Sequence, residues 1–327
     1  MTDTLTTLDD RLDNLVTLDL GGRGVEHLFT AARARQGTSL VGAAADALAA
    51  VPDGATVVIT TGSVSRAWIS PTVGENDGPA GAAVIARALA LAKNVTPVIV
   101  AEETLLAGLA AMATSAGLSV LPYEQARIAA GDGSLAAASV MGFPTTDAEA
   151  DTAAADLLDS LAPALLFSTE RVGRAVDGVY YSMRAVDYGM GRARIDRLFD
   201  EARRRGFPTV AVGDGGNEIG MGAISDAVHA HVTHGATIAA VTSADVLVTA
   251  ACSNWGCYGI AAALAARLGD PRLVHTAAAE AALLQRGTDL GMINSVAGVI
   301  DSHVDGIPAP THLALAELVH AVVRNHL

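Results

Sequence analysis

The stretch Thr209-Val210-Ala211-Val212-Gly213-Asp214-Gly215-Gly216-Asn217-Glu218-Ile219-Gly220-Met221-Gly222 runs from four strand-forming residues into a loop with five glycines. A short apolar run bounded by glycine reads as a buried strand. Similar runs occur at 57–60, 97–101, 118–121, 165–168, 237–241 and 246–250. Helical patterns separate them at 38–50, 80–93, 103–116, 150–161, 192–205, 258–268 and 276–286. Strands alternating with helices of this length predict an α/β fold of three α/β/α layers around a mostly parallel sheet. Ligands of such sheets bind beyond the carboxyl ends of the strands, which directs attention to the residues after each run. The segment 124–150, with Gly131, Gly133, Gly142 and Pro144, is the expected break if the single domain 1–327 divides into two lobes.

Composition narrows the chemistry. The 327 residues hold 21 basic and 35 acidic side chains, a net charge of −14, and Lys93 is the sole lysine. This balance speaks against nucleic-acid and anionic-membrane partners and against lysine Schiff-base chemistry, while leaving room for bound cations. Cys252 and Cys257 are too few for a disulfide framework and suit a reducing, cytoplasmic setting. The N-terminal segment carries Asp3, Asp9, Asp10 and Asp13, so no secretory leader is expected. Leu5, Leu8, Leu12 and Leu15 mark one face of a first helix that should stop by Gly21-Gly22. The weakly charged stretch 235–259 is interrupted by Thr242, Ser243 and Asp245 and reads as buried strand and turn, not a membrane span.

The loop after the 209–212 run matches neither the dinucleotide fingerprint, because Glu218 occupies the place of the last glycine, nor the phosphate-loop pattern. It places Asp214 and Glu218 four apart with Asn217 between them. Paired hard oxygens suit Mg²⁺ or Mn²⁺; the plainer reading is a helix cap with a solvated glutamate. A second carboxylate pair, Glu75 and Asp77, precedes Gly78-Pro79 at a helix start, where Asp77 is also a natural cap. Glu170 closes a strand and is followed by Arg171 and Arg174, whose forks fit a carboxylate but also fit ordinary surface ion pairs. Asp177, Tyr180 and Tyr181 could supply acid–base groups or simply pack. The histidines His229, His231 and His234 do not share a helix face and read as a hydrated loop or interface. Ser253 lacks the elbow of a serine hydrolase.

Taken in order, these loops resemble the D-glutamate cyclase family. The matching segments are Thr60-Thr61-Gly62, 75–82, 170–181, 213–222, Ser253-Asn254-Trp255-Gly256 and Val304-Asp305-Gly306, together with Arg23-Gly24. The resemblance runs from about Asp19 to the C-terminus and departs from the family pattern at Asn76, Ala80, Cys257 and Asp289-Leu290. It implies a carbon–oxygen lyase that dehydrates D-glutamate to 5-oxo-D-proline, with a small amino acid or lactam as partner. Residue chemistry and loop position then suggest roles. Glu75, Asp77, Asp214 and Glu218 would hold Mg²⁺ or Mn²⁺, and Glu170, Asp177 and Asn217 would serve the reaction. Arg171 and Arg174 would clamp the α-carboxylate, and Gly62, Ser63, Gly215, Gly216, Ser253 and Asn254 would line the substrate. Two alternatives stay open: a Mg²⁺- or Mn²⁺-dependent hydrolase such as a phosphatase, and a non-catalytic amino-acid or lactam-binding protein. A homo-oligomer is also left open.

Overall fold

The structure is a computed structural model that describes residues 2–327. Seven strands form one sheet: β1 (Thr56–Thr61), β2 (Thr96–Ala101), β3 (Ser119–Val120), β4 (Ala137–Gly142), β5 (Leu165–Thr169), β6 (Thr209–Gly213) and β7 (Val246–Thr249). Their spatial order is β3-β4-β2-β1-β5-β6-β7, and every neighbouring pair is parallel. The fold is therefore α/β with three layers. Alternate strand residues serve opposite faces. Val57, Ile59, Leu165 and Phe167 pack with the helices Leu40–Ala49, Pro79–Lys93 and Ser253–Leu268. Val58, Val98, Val100 and Leu166 pack on the other side with Asp147–Leu161 and Ile195–Arg205. Apolar side chains on both faces explain why the strand runs are continuous in hydrophobicity.

Two sequence expectations change. Residues 237–241 are not a strand: the short helix Gly235–Ile238 takes the first part, preceded by His234 at a positive φ of 61°. The remainder bonds to loops, Ala240 N–H donating to Gly216 C=O and Val241 N–H to Arg174 C=O. That segment braces the glycine loop from outside the sheet. Conversely, β4 is an unanticipated strand built from Ala137, Ala138, Ser139, Val140, Met141 and Gly142. Alanine, serine and glycine carry little strand propensity, so burial between β3 and β2 decides its conformation. The 124–150 segment thus contributes the helix Tyr123–Gly131 and a strand to the common sheet. No helix among the described residues is long and apolar enough to cross a membrane.

Candidate active site at the carboxyl edge of the sheet

The loops after β1, β5, β6 and β7 converge, as the parallel topology requires. Asp77 and Asn254 lock two helices to each other. Asp77 accepts the N–H groups of Ser253 and Asn254, at 3.3 and 3.2 Å, at the start of Ser253–Leu268. Asn254 Oδ1 accepts those of Gly78 and Gly81, at 3.1 and 2.7 Å, at the start of Pro79–Lys93. Each side chain caps the other's helix, which satisfies orphan donors at both ends. The helices cross closely: a Cβ on Gly81 would lie 2.9 Å from Cys257 Sγ. The capping reading of Asp77 is thus correct in part, and Asn254 caps the helix that starts at Pro79.

Asp214 is the centre of the acidic cluster. Its oxygens belong to two groups of carboxylates whose candidate ligand atoms lie within 4.8 Å of one another: Asp77, Asp214 and Asp305, and Glu170, Asp214 and Glu218. Arg23 Nη2 lies 2.8 Å from Asp214 Oδ2, and Arg23 Nη1 donates to Asp305 Oδ2 at 2.8 Å. The Asp214 contact lacks hydrogen-bond direction, so this buried oxygen accepts no aligned donor. Glu170 sits at a positive φ of 51°, a costly conformation for a side chain with a Cβ, and receives the Ser253 hydroxyl at 2.6 Å. Asp305 has a φ of 53°. Its loop is held by His312, whose Nδ1 accepts from Trp255 Nε1–H at 2.8 Å, leaving Nε2–H for Ile307 C=O at 3.2 Å. Burial lowers the His312 pKa, in keeping with a neutral ring.

Crowding of like charge in a buried edge shows in the protonation behaviour. Burial first, then Asp305, pushes Asp77 up to about 8. Burial pushes Glu75 up to about 7 against the pull of Arg192. Glu170 is raised well above the usual range by burial and by Asp214, Asp77 and Glu218. Asp214 is raised likewise, although Arg23 opposes the shift. Such a cluster needs protons or cations to exist.

Other expected site residues make hydrogen bonds and ion pairs of their own. Glu218 takes the N–H groups of Asp214, Gly215 and Gly216 at 3.3, 2.8 and 2.7 Å. The Gly215 and Gly216 amides therefore face their own loop's carboxylate instead of a substrate oxyanion. Arg171 is fully buried and clamps Glu102 through both terminal nitrogens at 2.7 and 2.8 Å, while donating to Gly62 C=O and Ala193 C=O. Arg174 pairs with Asp196 at 2.5 Å and Asp200 at 2.6 Å. Neither arginine is free for a substrate carboxylate. Asp177 is exposed, accepts the Tyr181 hydroxyl at 2.7 Å and caps its own turn, outside both carboxylate groups. Asn217 donates to Tyr181 C=O at 2.7 Å and ties the 177–191 loop down. Glu75 accepts from Ser63 Oγ at 3.1 Å and, with Gly62 and Ser63, lines a cavity of about 260 Å³, apart from both oxygen groups. A larger, more open depression of about 790 Å³ around Glu103, Phe143 and Glu149 includes none of the cluster. His231 stacks on His27, with ring centres 4.1 Å apart.

Motif reading gave no role to Arg23 and Asp305, although both stand in the Arg-Gly and Val-Asp-Gly segments. Arg192 and Tyr188 carry no motif at all.

The family described as D-glutamate cyclase-like, C-terminal, matches residues 12–319. The chain belongs to that family. The mitochondrial D-glutamate cyclase of Homo sapiens is 30% identical over 346 aligned residues, covering 95% of this chain and 51% of that protein. The chain thus spans about half the length of the curated relative it matches. A crystal structure of actinorhodin polyketide ketoreductase with NADPH matches at 13% identity with a TM-score of 0.26, over 82% of this chain and 90% of that one. At that level the likeness has no bearing on the site.

Proposed function

We propose that this family member converts D-glutamate, or a close analogue, to 5-oxo-D-proline with loss of water, in a reducing cytoplasmic setting. The observation that carries the reading is Asp214, shared between two sets of buried carboxylates at the sheet's carboxyl edge. The family membership supports D-glutamate as the substrate.

The donor set fits a hard divalent cation, Mg²⁺ or Mn²⁺. It is all oxygen, crowded, and includes a buried Asp214 oxygen without an aligned donor. Asp77, Asp214 and Asp305 would hold it, and when bound it would supply Lewis acidity toward a carboxylate oxygen. Arg23, between Asp214 and Asp305, sets their orientation. Glu170 has the chemistry of an acid–base group: half-buried, raised in pKa and aimed by the Ser253 hydroxyl. In the forward direction the α-ammonium gives up two protons and its nitrogen bonds to the carbon of the γ-carboxylate. One γ-oxygen then leaves with both protons as water. Glu170 is the group placed to carry a proton from nitrogen to the departing oxygen.

The test is a substrate panel with the metal-replete protein, before and after stringent chelation. The expected result is 5-oxoproline from D-glutamate, little from L-glutamate, and loss of turnover with EDTA. Release of phosphate from monoesters would favour the hydrolase. Ligand-induced thermal stabilisation with no product from any compound would favour a binding protein.

The carboxyl groups also predict a coupled pH and metal effect. Asp77 and Glu75 bind protons more tightly folded than unfolded, with pKa values of about 8 and about 7 against model values of 3.8 and 4.5. Their contribution to stability is therefore fully present below the unfolded values and is lost as pH rises toward 8. Thermal melts should show the metal-free protein losing stability between about pH 5 and pH 8. Millimolar Mn²⁺ should raise the midpoint at pH 8 by about 3 °C or more, and by less at pH 5.5. A Mn²⁺ effect that is equal at both pH values would remove the cluster from cation binding.

A further inference from the structure

A dicarboxylic amino acid entering an acidic edge needs a cation for its α-carboxylate. Arg171 and Arg174 are taken up by Glu102, Asp196 and Asp200, and Arg23 by Asp214, Asp305 and Ala251 C=O. Arg192 is in no ion pair within 4 Å among the described residues. Its side chain is fully buried, and a terminal nitrogen, Nη2, has no partner among them, whereas in Arg171 both terminal nitrogens are engaged and Nε alone is unpartnered. A buried guanidinium nitrogen without an acceptor is costly unless something else supplies one. The rest of the group is fixed: Nε–H donates to Tyr188 C=O at 2.8 Å, and Nη1–H donates to Ser63 Oγ. The guanidinium carbon lies 3.5 Å from the centre of the Tyr188 ring. Stacking and two bonds hold the fork rigid, so little freedom is lost when an anion meets it. Ser63 and Glu75, which adjoin it, line the 260 Å³ cavity at the end of β1. Tyr188 and Arg192 lie on the loop that also covers the glycine turn, where a Cβ on Gly215 would lie 2.5 Å from Met183 Sδ.

We propose that Arg192 anchors the substrate's α-carboxylate, with Ser63 beside it, and so makes the site selective for amino acids and lactams with a free α-acid. The proposal rests on the cyclase reading above for the identity of the substrate. It places the α-carboxylate at the end of β1.

The experiment compares D-glutamate with its α-amide in wild type, Arg192→Gln and Arg192→Lys. Wild type should prefer the free acid in kcat/KM by about 10- to 100-fold, the span of one charge-assisted hydrogen bond. Arg192→Gln should collapse that preference toward one, mainly through KM for the acid, and Arg192→Lys should restore part of it. A preference that persists in Arg192→Gln, with turnover reduced equally for both compounds, overturns the anchor while leaving the cyclase reading intact. If wild type turns over neither compound, the cyclase reading fails and binding decides the anchor. That arm also serves if Arg192→Gln does not fold. Wild-type affinity for 5-oxo-D-proline at least tenfold above that for 5-oxo-D-prolinamide supports the anchor, and equal affinities overturn it.

Discussion

Asp214→Asn should lower kcat/KM for the proposed substrate, D-glutamate, by about a thousandfold, the scale on which loss of one charged group at a reacting centre is felt. Asp214 belongs to both carboxylate groups, so its charge serves each of them. Asparagine keeps the shape, but it removes the negative charge that faces Arg23 and offers a weaker oxygen to a cation. Stability moves the other way. Asp214 is buried and its carboxyl is raised well above the usual range, so the ionised form is held at a cost to the fold. The variant should therefore melt no lower than wild type at pH 8 in the absence of metal. Steady-state kinetics and thermal melts on one preparation check both halves. Near-native turnover would take Asp214 out of the site, and a collapse of the melting temperature would make it structural.

The second large effect lies on stability. Arg171→Met should destabilise the protein by about 3–5 kcal/mol, because it leaves the Glu102 carboxylate buried without its partner. Glu102 is only 1% exposed, and Arg171 holds both of its oxygens. The same substitution strips donors from Gly62 C=O and Ala193 C=O, which fix the turn after β1 and the residue following Arg192. Denaturant unfolding measures the loss, and adding Glu102→Leu should recover a large part of it, since an apolar pair of similar volume carries no unpaired charge. Unchanged stability with a raised KM would return Arg171 to the role of substrate clamp.

These two residues show what the sequence could and could not convey. The layered α/β fold was legible because buried parallel strands are apolar along their whole length and the helices between them are long. β4 was not, since Ala137, Ala138, Ser139 and Gly142 have weak strand preference and are extended by their neighbours in the sheet. The 237–241 run looked like a strand, but Gly235 and His234 begin a turn and the backbone pairs with loops. At the site, acidic residues and glycines at strand ends pointed to the right edge of the sheet. Which carboxylate meets which partner depended on distant pairings, Arg171 with Glu102 and Arg23 with Asp214 and Asp305. Glu218 illustrates the limit: its oxygens close the glycine loop upon itself, and the group it forms with Glu170 and Asp214 could not be read from type and spacing. Arg192 gave no signal at all, because an arginine near Gly189 and Gly191 resembles any loop cation until its burial and its missing acceptor are seen.

The most direct test of the central claim follows oxygen. With metal-replete protein in heavy-oxygen water, reversible dehydration at the γ-carboxylate should exchange label into that group of D-glutamate and not into its α-carboxylate. Mass spectrometry should find that label in the D enantiomer, with exchange abolished in Asp214→Asn. Absence of exchange above the protein-free control, or equal labelling of D- and L-glutamate, would contradict the account.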